Sequence, residues 1–104
     1  MLSETITQAI NQAEKYRYIT KVGIFGSHAR GEAHSDSDID VLIDYDSSSD
    51  DFLDDLDNFM EDFESAVHCK IDYVTLFGLQ NSGNENFKQE VLKDVKWIYT
   101  AKGA

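Results

Sequence analysis

The segment Ile39–Tyr45 constrains the fold more than any other part of the chain. It is largely apolar and rich in β-branched and aromatic residues, which is typical of a strand inside a sheet. An interior strand needs neighbouring strands and helices that cover the sheet. We therefore expect a central strand here, with the rest of the chain arranged around it.

The spacing of apolar residues predicts the other elements. Apolar residues recur at helical spacing over residues 4–17 and again over 52–67, whereas "ITKVGIFG" alternates and ends at Gly26. "KIDYVTL" (70–76) is a third predicted strand, and the loop "GLQNSGNENF" leads into a last helix through Phe87 and Val95. The order helix, strand, strand, helix, strand, helix predicts an α/β (α+β) fold, a small mixed β-sheet packed with helices.

The length of the chain limits how its substrate can be held. A chain of 104 residues with 41% hydrophobic residues fits a single domain over residues 1–104 with one core. It is too short for a second lobe that would hold a large substrate. We therefore expect any large acceptor to be presented by another molecule.

The charge and the cysteine content exclude several classes of protein. Nine Lys and Arg against 20 Asp and Glu give a formal charge of −11, which repels nucleic acid backbones and fits a basic protein partner better. A single cysteine cannot form an internal disulfide, and the N-terminus has no apolar run behind a positive segment. We expect a cytoplasmic protein without direct nucleic acid binding and without a membrane span.

Residues 26–31, "GSHARG", suit a phosphate. A glycine after a strand lets the backbone approach a ligand closely, and the next residues can open a short helix whose free N–H groups favour an anion. Ser27 adds a hydroxyl donor. Arg30 can either fix the turn through a salt bridge or hold a phosphate. The alternative is an ordinary structural turn.

Asp38 and Asp40 have the spacing of a metal site. Strand residues two apart point to one face, about 6–7 Å apart, so both carboxylates can converge on a cation while Ile39 and Val41 point into the core. Carboxylate oxygens suit Mg²⁺ or Mn²⁺, which complete their shells with water and nucleotide phosphates. The alternative is an exposed strand start with solvated aspartates.

Asp72 is the candidate for a third carboxylate. Nucleotidyl transfer needs metal ligands and a group that binds the second ion or accepts the proton of the attacking hydroxyl. Asp72 lies between Ile71 and Tyr73 in the third predicted strand. The alternative is an aspartate at the edge of the sheet that faces water.

These residues carry a resemblance to a known family. "G-S-H-A-R-G" followed by "S-D-S-D-I-D-V" resembles the signature of the DNA polymerase β-type nucleotidyltransferase superfamily. The form G-S-x-A-R-G-x5-S-D-x-D is similar to the MNT family, the minimal nucleotidyltransferases encoded beside HEPN-domain proteins. No motif position departs from the pattern, since His28 occupies a variable position.

The resemblance implies a fold and a set of site residues. The implied fold is that of the polymerase β-like nucleotidyltransferases. The implied nucleotide-binding residues are Gly26, Ser27, Arg30 and Ser37. The implied catalytic and metal-binding residues are Asp38, Asp40 and Asp72.

The resemblance also implies an activity. An enzyme of this kind uses Mg²⁺, with two ions and Mn²⁺ as a substitute, to transfer AMP from ATP to a hydroxyl. The implied acceptor is a tyrosine of a HEPN-domain toxin, which would make this protein an antitoxin, in a homo- or hetero-oligomer.

Two alternatives remain open from the sequence. One is a non-catalytic antitoxin that neutralises its partner by complex formation. The other is transfer to a small molecule, as in related antibiotic adenylyltransferases, which carry an added helical domain. The sequence leaves the acceptor, the nucleotide preference, the number of AMP units and the oligomeric state undetermined.

Overall fold

The computed structural model describes residues 4–34 and 37–102, which form a four-stranded sheet with helices on both faces. The helices and strands are, in chain order, α1 (Glu4–Asn11), a 3₁₀ turn (Gln12–Lys15), β1 (Ile19–Phe25), α2 (Ser27–Arg30), β2 (Ile39–Tyr45), α3 (Phe52–Val67), β3 (Ile71–Thr75), α4 (Leu76–Gln80), α5 (Glu85–Asp94) and β4 (Lys96–Thr100). This arrangement confirms the predicted α/β (α+β) class.

The sheet is mixed, and β2 lies in its interior. The strand order is β3-β2-β1-β4, with β2 antiparallel to β1 and parallel to β3, and β4 antiparallel to β1. The parallel pair needs a long crossover, which α3 provides. The prediction of a central strand at Ile39–Tyr45 is confirmed.

Alternate residues of β2 enter two separate apolar clusters. Ile39, Val41 and Ile43 are fully buried in a cluster that also contains residues of α1 and α3. Leu42 is buried in a second cluster with residues of α4 and α5. Because strand side chains alternate, Asp40 belongs to the same face as Leu42. The first carboxylate of the strand therefore faces the side of α4 and α5.

Four elements differ from the sequence-based expectation. The first helix ends at Asn11 and tightens into a 3₁₀ turn, short of the predicted residue 17. The third strand ends at Thr75, whose hydroxyl accepts a hydrogen bond from the Gly78 N–H (3.0 Å) and caps the unpredicted α4. The strand β4 was also missed, because its residues are mostly exposed at the sheet edge and carry no strong apolar pattern.

No helix in residues 4–34 and 37–102 is long and apolar enough to cross a bilayer.

A substitution at Gly23 tests how closely β4 packs against β1. A Cβ at Gly23 would lie 2.8 Å from Val95 Cγ2 and 3.0 Å from Trp97 Cε3. We expect Gly23→Ala to lower the free energy of unfolding by about 1–3 kcal/mol in urea denaturation, because overpacking forces neighbours to move. Gly83→Ala is the matched control, since nothing lies within 4 Å of its added Cβ. Equal midpoints for the two variants would contradict this packing.

Candidate active site

The close contact between Gly26 and Asp40 joins two parts of the sequence motif. Phe25, the last residue of β1, is the register partner of Asp40 on β2. Gly26 follows with a φ of 74°, and a Cβ placed on it would lie 2.3 Å from Asp40 Oδ2. Only glycine combines this backbone conformation with this approach. The turn and the carboxylate therefore form one site.

The turn after Gly26 is a short helix, as predicted. The helix α2 spans Ser27–Arg30 and ends at Gly31 in the left-handed conformation, with a φ of 73°. The Arg30 N–H donates to the Gly26 carbonyl oxygen (3.1 Å), which fixes the length of the turn. Ser27 is half-buried at its first position, where helix N–H groups have no partner within the helix.

The parallel pairing of β2 and β3 brings Asp40 and Asp72 together. They are register partners, so their side chains lie on one face of neighbouring strands about 4.8 Å apart. Asp38 is half-buried just before β2. Burial raises the pKa of Asp40, and the charges of Asp72 and Asp38 raise it further, while His28 and Arg30 act in the opposite direction. The three predicted carboxylates therefore share one electrostatic site.

The donor set suits a hard cation that has further ligands. Asp38 and Asp40 are half-buried, whereas Asp72 is exposed on the edge strand β3. Within the described residues, no three His, Cys, Asp or Glu side chains are arranged so that they could hold a metal ion. Carboxylate oxygens and the mutual repulsion at Asp40 fit Mg²⁺, which takes only one or two carboxylates and completes its shell from water and phosphates.

Arg30 is held by two carboxylates. Its Nε donates to Glu32 Oε1 (2.9 Å) and its Nη1 donates to Asp94 Oδ2 (2.7 Å) at the end of α5. These hydrogen bonds raise the pKa of Arg30 above its already high ordinary value. Of the two uses considered for Arg30, the salt bridge is therefore present in the structure.

Ser37 lies in a local turn before Asp38. Its hydroxyl accepts a hydrogen bond from the His34 N–H (3.0 Å), and its own N–H donates to the His34 carbonyl (3.0 Å). The Ser37 carbonyl oxygen is also 3.4 Å from His28 Nε2 on α2. These contacts hold Ser37 beside α2, directly before the start of β2. The predicted residues Gly26, Ser27 and Ser37 thus converge on one end of the sheet.

A cleft beside Asp40 has a wall formed by α5. Its volume is about 160 Å³. The lining residues are Phe25, Gly26, Arg30 and Asp40 on one side and Phe87, Glu90, Val91 and Asp94 of α5 on the other. Phe25 and Phe87 meet edge to face, with ring centroids 6.3 Å apart. The cleft opens next to Asp40, and its volume fits one planar group or part of a nucleotide.

Sequence reasoning missed the contribution of α5 and of Lys70. The sequence predicted a last helix without a role in the site, whereas its residues Phe87, Glu90 and Asp94 line the cleft and Val91 is buried. Lys70 Nζ lies 3.9 Å from Asp38 Oδ2, a weak contact between exposed groups. One feature of the sequence could have indicated the role of α5. Asp94 lies at the C-terminus of a helix, where a negative charge is unfavourable unless a cation lies nearby.

The crowding at Asp40 predicts a pH-dependent stability. Because the folded protein binds the Asp40 proton more tightly than the unfolded chain, the free energy of unfolding falls as pH rises from the ordinary aspartate pKa of 3.8 through the raised pKa. We expect Asp40→Asn to stabilise the metal-free protein at neutral pH by roughly 0.2–1 kcal/mol, the cost of like charges on adjacent strands. Urea denaturation in the presence of a chelator measures this.

The gain should disappear in acid, where Asp40 is protonated in both states. Asp57→Asn, on the exposed face of α3, is the control and should show little change at either pH. A variant Asp40→Asn that is less stable than the wild type at neutral pH would show that Asp40 makes a favourable contact instead.

Comparison with known proteins identifies the family. The family described as "Polymerase beta, Nucleotidyltransferase" matches residues 7–103. The chain is 28% identical over 99 residues to the protein adenylyltransferase MntA of Thermococcus cleftensis, an alignment that covers 91% of each protein.

Two solved structures share the fold. One is a toxin–antitoxin with AMP-PNP, with a TM-score of 0.65, 19% identity and coverage of 92% of this chain and 74% of the other. The other is a tri-AMPylated Shewanella oneidensis HEPN toxin in complex with MNT antitoxin, with a TM-score of 0.58, 17% identity and coverage of 93% and 71%. The likeness in fold and the match over residues 7–103 agree with the site geometry, and the chain belongs to the polymerase β-type nucleotidyltransferase family.

Proposed function

We propose that this nucleotidyltransferase is a protein adenylyltransferase that uses Mg²⁺ to transfer AMP from ATP to a hydroxyl of a HEPN-domain toxin, and so acts as an antitoxin. The observation that carries the proposal is the placement of Asp40 directly against Gly26 and opposite Asp72. The name of the Thermococcus relative and the AMPylated toxin in the Shewanella complex support it.

One or two of the carboxylates of Asp38, Asp40 and Asp72 would hold each metal ion, since no three such side chains in the described residues are arranged to bind one ion together. These carboxylates supply hard oxygen donors at one end of the sheet. Burial raises the pKa of Asp40, and the negative charges of Asp72 and Asp38, which a cation would neutralise, raise it further. Two Mg²⁺ ions, or Mn²⁺ in their place, would stabilise charge on the phosphates and lower the pKa of the attacking hydroxyl.

The turn would hold the triphosphate. The N–H groups at the start of α2 and the hydroxyls of Ser27 and Ser37 are donors that can point at phosphate oxygens. Arg30 adds positive charge to this side of the site. The close approach of Gly26 to Asp40 would let the phosphate donors and the carboxylates contact one ligand together.

The position of Asp72 suits the acceptor side. In the reaction, the acceptor oxygen forms a bond to the α-phosphorus of ATP, the bond to the pyrophosphate oxygen breaks, and pyrophosphate leaves. The proton of the acceptor hydroxyl passes to a base, for which Asp72 is suited because it is exposed on the edge strand beside Asp40. An acceptor can therefore approach from outside the domain.

A separate protein would present the acceptor. The 104 residues fit one small domain, and their formal charge of −11 fits a basic partner. We infer a tyrosine hydroxyl on a HEPN-domain toxin as the acceptor and a hetero-oligomer as the working form. We propose that the reaction takes place in the cytoplasm, where ATP is available.

A second candidate is an antitoxin that acts by binding alone. The outward face of α3 carries exposed acidic residues, which are Asp54, Asp57, Glu61, Asp62 and Glu64. This face could cover a basic RNA-binding surface of a toxin without any transfer.

Label transfer tests the catalytic proposal. The purified protein is incubated with ATP labelled in the α-phosphate, Mg²⁺ and the HEPN protein encoded beside it. We expect labelled partner with the wild type, and a loss on the order of 10³-fold or more in the double variant Asp38→Ala/Asp40→Ala. The control is Asp54→Ala/Asp57→Ala, which removes two acidic groups from the exposed face of α3. Equal labelling of the partner by the wild type and by the Asp38→Ala/Asp40→Ala variant would contradict the catalytic proposal.

Toxicity in cells separates the two candidates. If transfer is required, the Asp38→Ala/Asp40→Ala variant should fail to neutralise the toxin even though it still binds it. Neutralisation by that variant at wild-type levels would favour the binding antitoxin. If only the Asp54→Ala/Asp57→Ala variant failed to neutralise the toxin, the acidic face of α3 would be the surface that inhibits it.

The substitution Gly26→Ala tests whether the close approach of the turn to Asp40 is needed for nucleotide binding. An added Cβ would overlap Asp40 Oδ2 and force a side chain into a backbone conformation with a φ of 74°. We expect ATP affinity, measured by calorimetry with Mg²⁺, to fall by at least about tenfold. Gly83→Ala should bind ATP as the wild type does, and circular dichroism checks that both variants fold.

A further inference from the structure

We infer that Asp94 is a positioning residue, which holds Arg30 so that the turn at Gly26 and Ser27 keeps the shape that a triphosphate needs. The inference rests on the proposed function, since it concerns the nucleotide of that reaction. Asp94 lies 64 positions from Arg30 in the chain and is outside the sequence motif. Its role follows from its contacts.

The contact between Arg30 and Asp94 is the better protected of the two ion pairs of Arg30. Arg30 Nη1 is 2.7 Å from Asp94 Oδ2, and the Asp94 side chain is 18% exposed. Arg30 Nε is 2.9 Å from Glu32 Oε1, but the Glu32 side chain is 60% exposed. A less exposed pair is screened less by water and salt, so Asp94 should hold Arg30 more firmly than Glu32 does.

The location of Asp94 needs a cation to explain it. Asp94 is the last residue of α5, where the helix dipole disfavours a negative charge. The guanidinium of Arg30 compensates this charge. In return, α5 fixes the end of α2, a helix of four residues that is too short to be stable alone.

The contact between Arg30 and Asp94 affects the nucleotide-binding turn through the backbone. The Arg30 N–H donates to the Gly26 carbonyl oxygen (3.1 Å), so a fixed Arg30 also fixes Gly26 and the Ser27 between them in the turn. Arg30, Asp94, Gly26 and Asp40 line the same cleft. Because two nitrogens of Arg30 already contact carboxylates, its geometry favours positioning over direct binding of a phosphate.

Asp94→Asn tests this role with two measurements. The first is ATP affinity by calorimetry with Mg²⁺ and no acceptor, and the second is the split between KM for ATP and kcat in the label-transfer assay. We expect Asp94→Asn to raise both the Kd and the KM by about fivefold to tenfold, with kcat changed by less than about twofold, because binding geometry is lost while the carboxylates remain. Asp94→Glu, which keeps the charge, should recover most of the affinity.

Glu32→Gln is the matched control, because it removes the other carboxylate that contacts Arg30. We expect its Kd and KM to stay within about twofold of the wild type, as for an exposed ion pair. Arg30→Lys keeps the charge but cannot reproduce the two-nitrogen contact. The double variant Arg30→Lys/Asp94→Asn should therefore be no worse than the more affected single variant, as for residues that act as a unit.

Several results would overturn the inference. These are an unchanged or lower KM in Asp94→Asn, an equal effect of Glu32→Gln, a loss confined to kcat, or additive losses in the double variant. Wild-type protein that binds no ATP would overturn the proposed function and this inference with it. Wild-type protein that binds and transfers while Asp94→Asn matches it would overturn only the role of Asp94.

Discussion

The contact between the Gly26 backbone and the Asp40 carboxylate is the constraint on which the site depends. It requires that β1 end and β2 begin at the same level of the sheet, which the register pair Phe25 and Asp40 ensures. It also requires a residue without a Cβ at a φ of 74°. Once these conditions hold, the phosphate turn and the carboxylates lie together before any ligand binds.

The same contact is electrostatically unfavourable, and packing in the core must offset this loss of stability. Asp40 is half-buried among like charges, and its pKa is raised by burial and by Asp72 and Asp38. The flanking residues Ile39 and Val41 are fully buried on the opposite face, so the strand cannot shift to expose Asp40 without exposing them. Packing on one face of β2 thus enforces an unfavourable arrangement of charge on the other.

Much of this site could be predicted from the sequence. The apolar pattern of Ile39–Tyr45 predicted an interior strand, and the period of two predicted which side chains alternate with Asp40. Asp72 was a candidate from its place in the third predicted strand and from the family resemblance, and the parallel pairing of β2 and β3 places it level with Asp40. The roles of these residues as ligands remain predictions, whereas their convergence on one end of the sheet is a property of the structure.

The rest could not be predicted, because it depends on contacts between distant segments. The exposed strand β4 has no strong periodic pattern, and α4 depends on a single cap at Thr75. The wall that α5 adds to the cleft, and the pair of Arg30 with Asp94, follow from how a helix packs on the sheet. Short-range patterns carry no information about such packing.

The pairing of β1 with β2 has a consequence for how such a site can diverge. The two halves of the motif lie on adjacent antiparallel strands, so the strand register sets their separation in space. The connection over residues 31–34, which comes before Ser37 and Asp38, sets only their separation in the chain. Insertions or exchanges within this connection are therefore compatible with an unchanged arrangement of the carboxylates, and the connection can adapt to a new ligand or partner while the chemistry is retained.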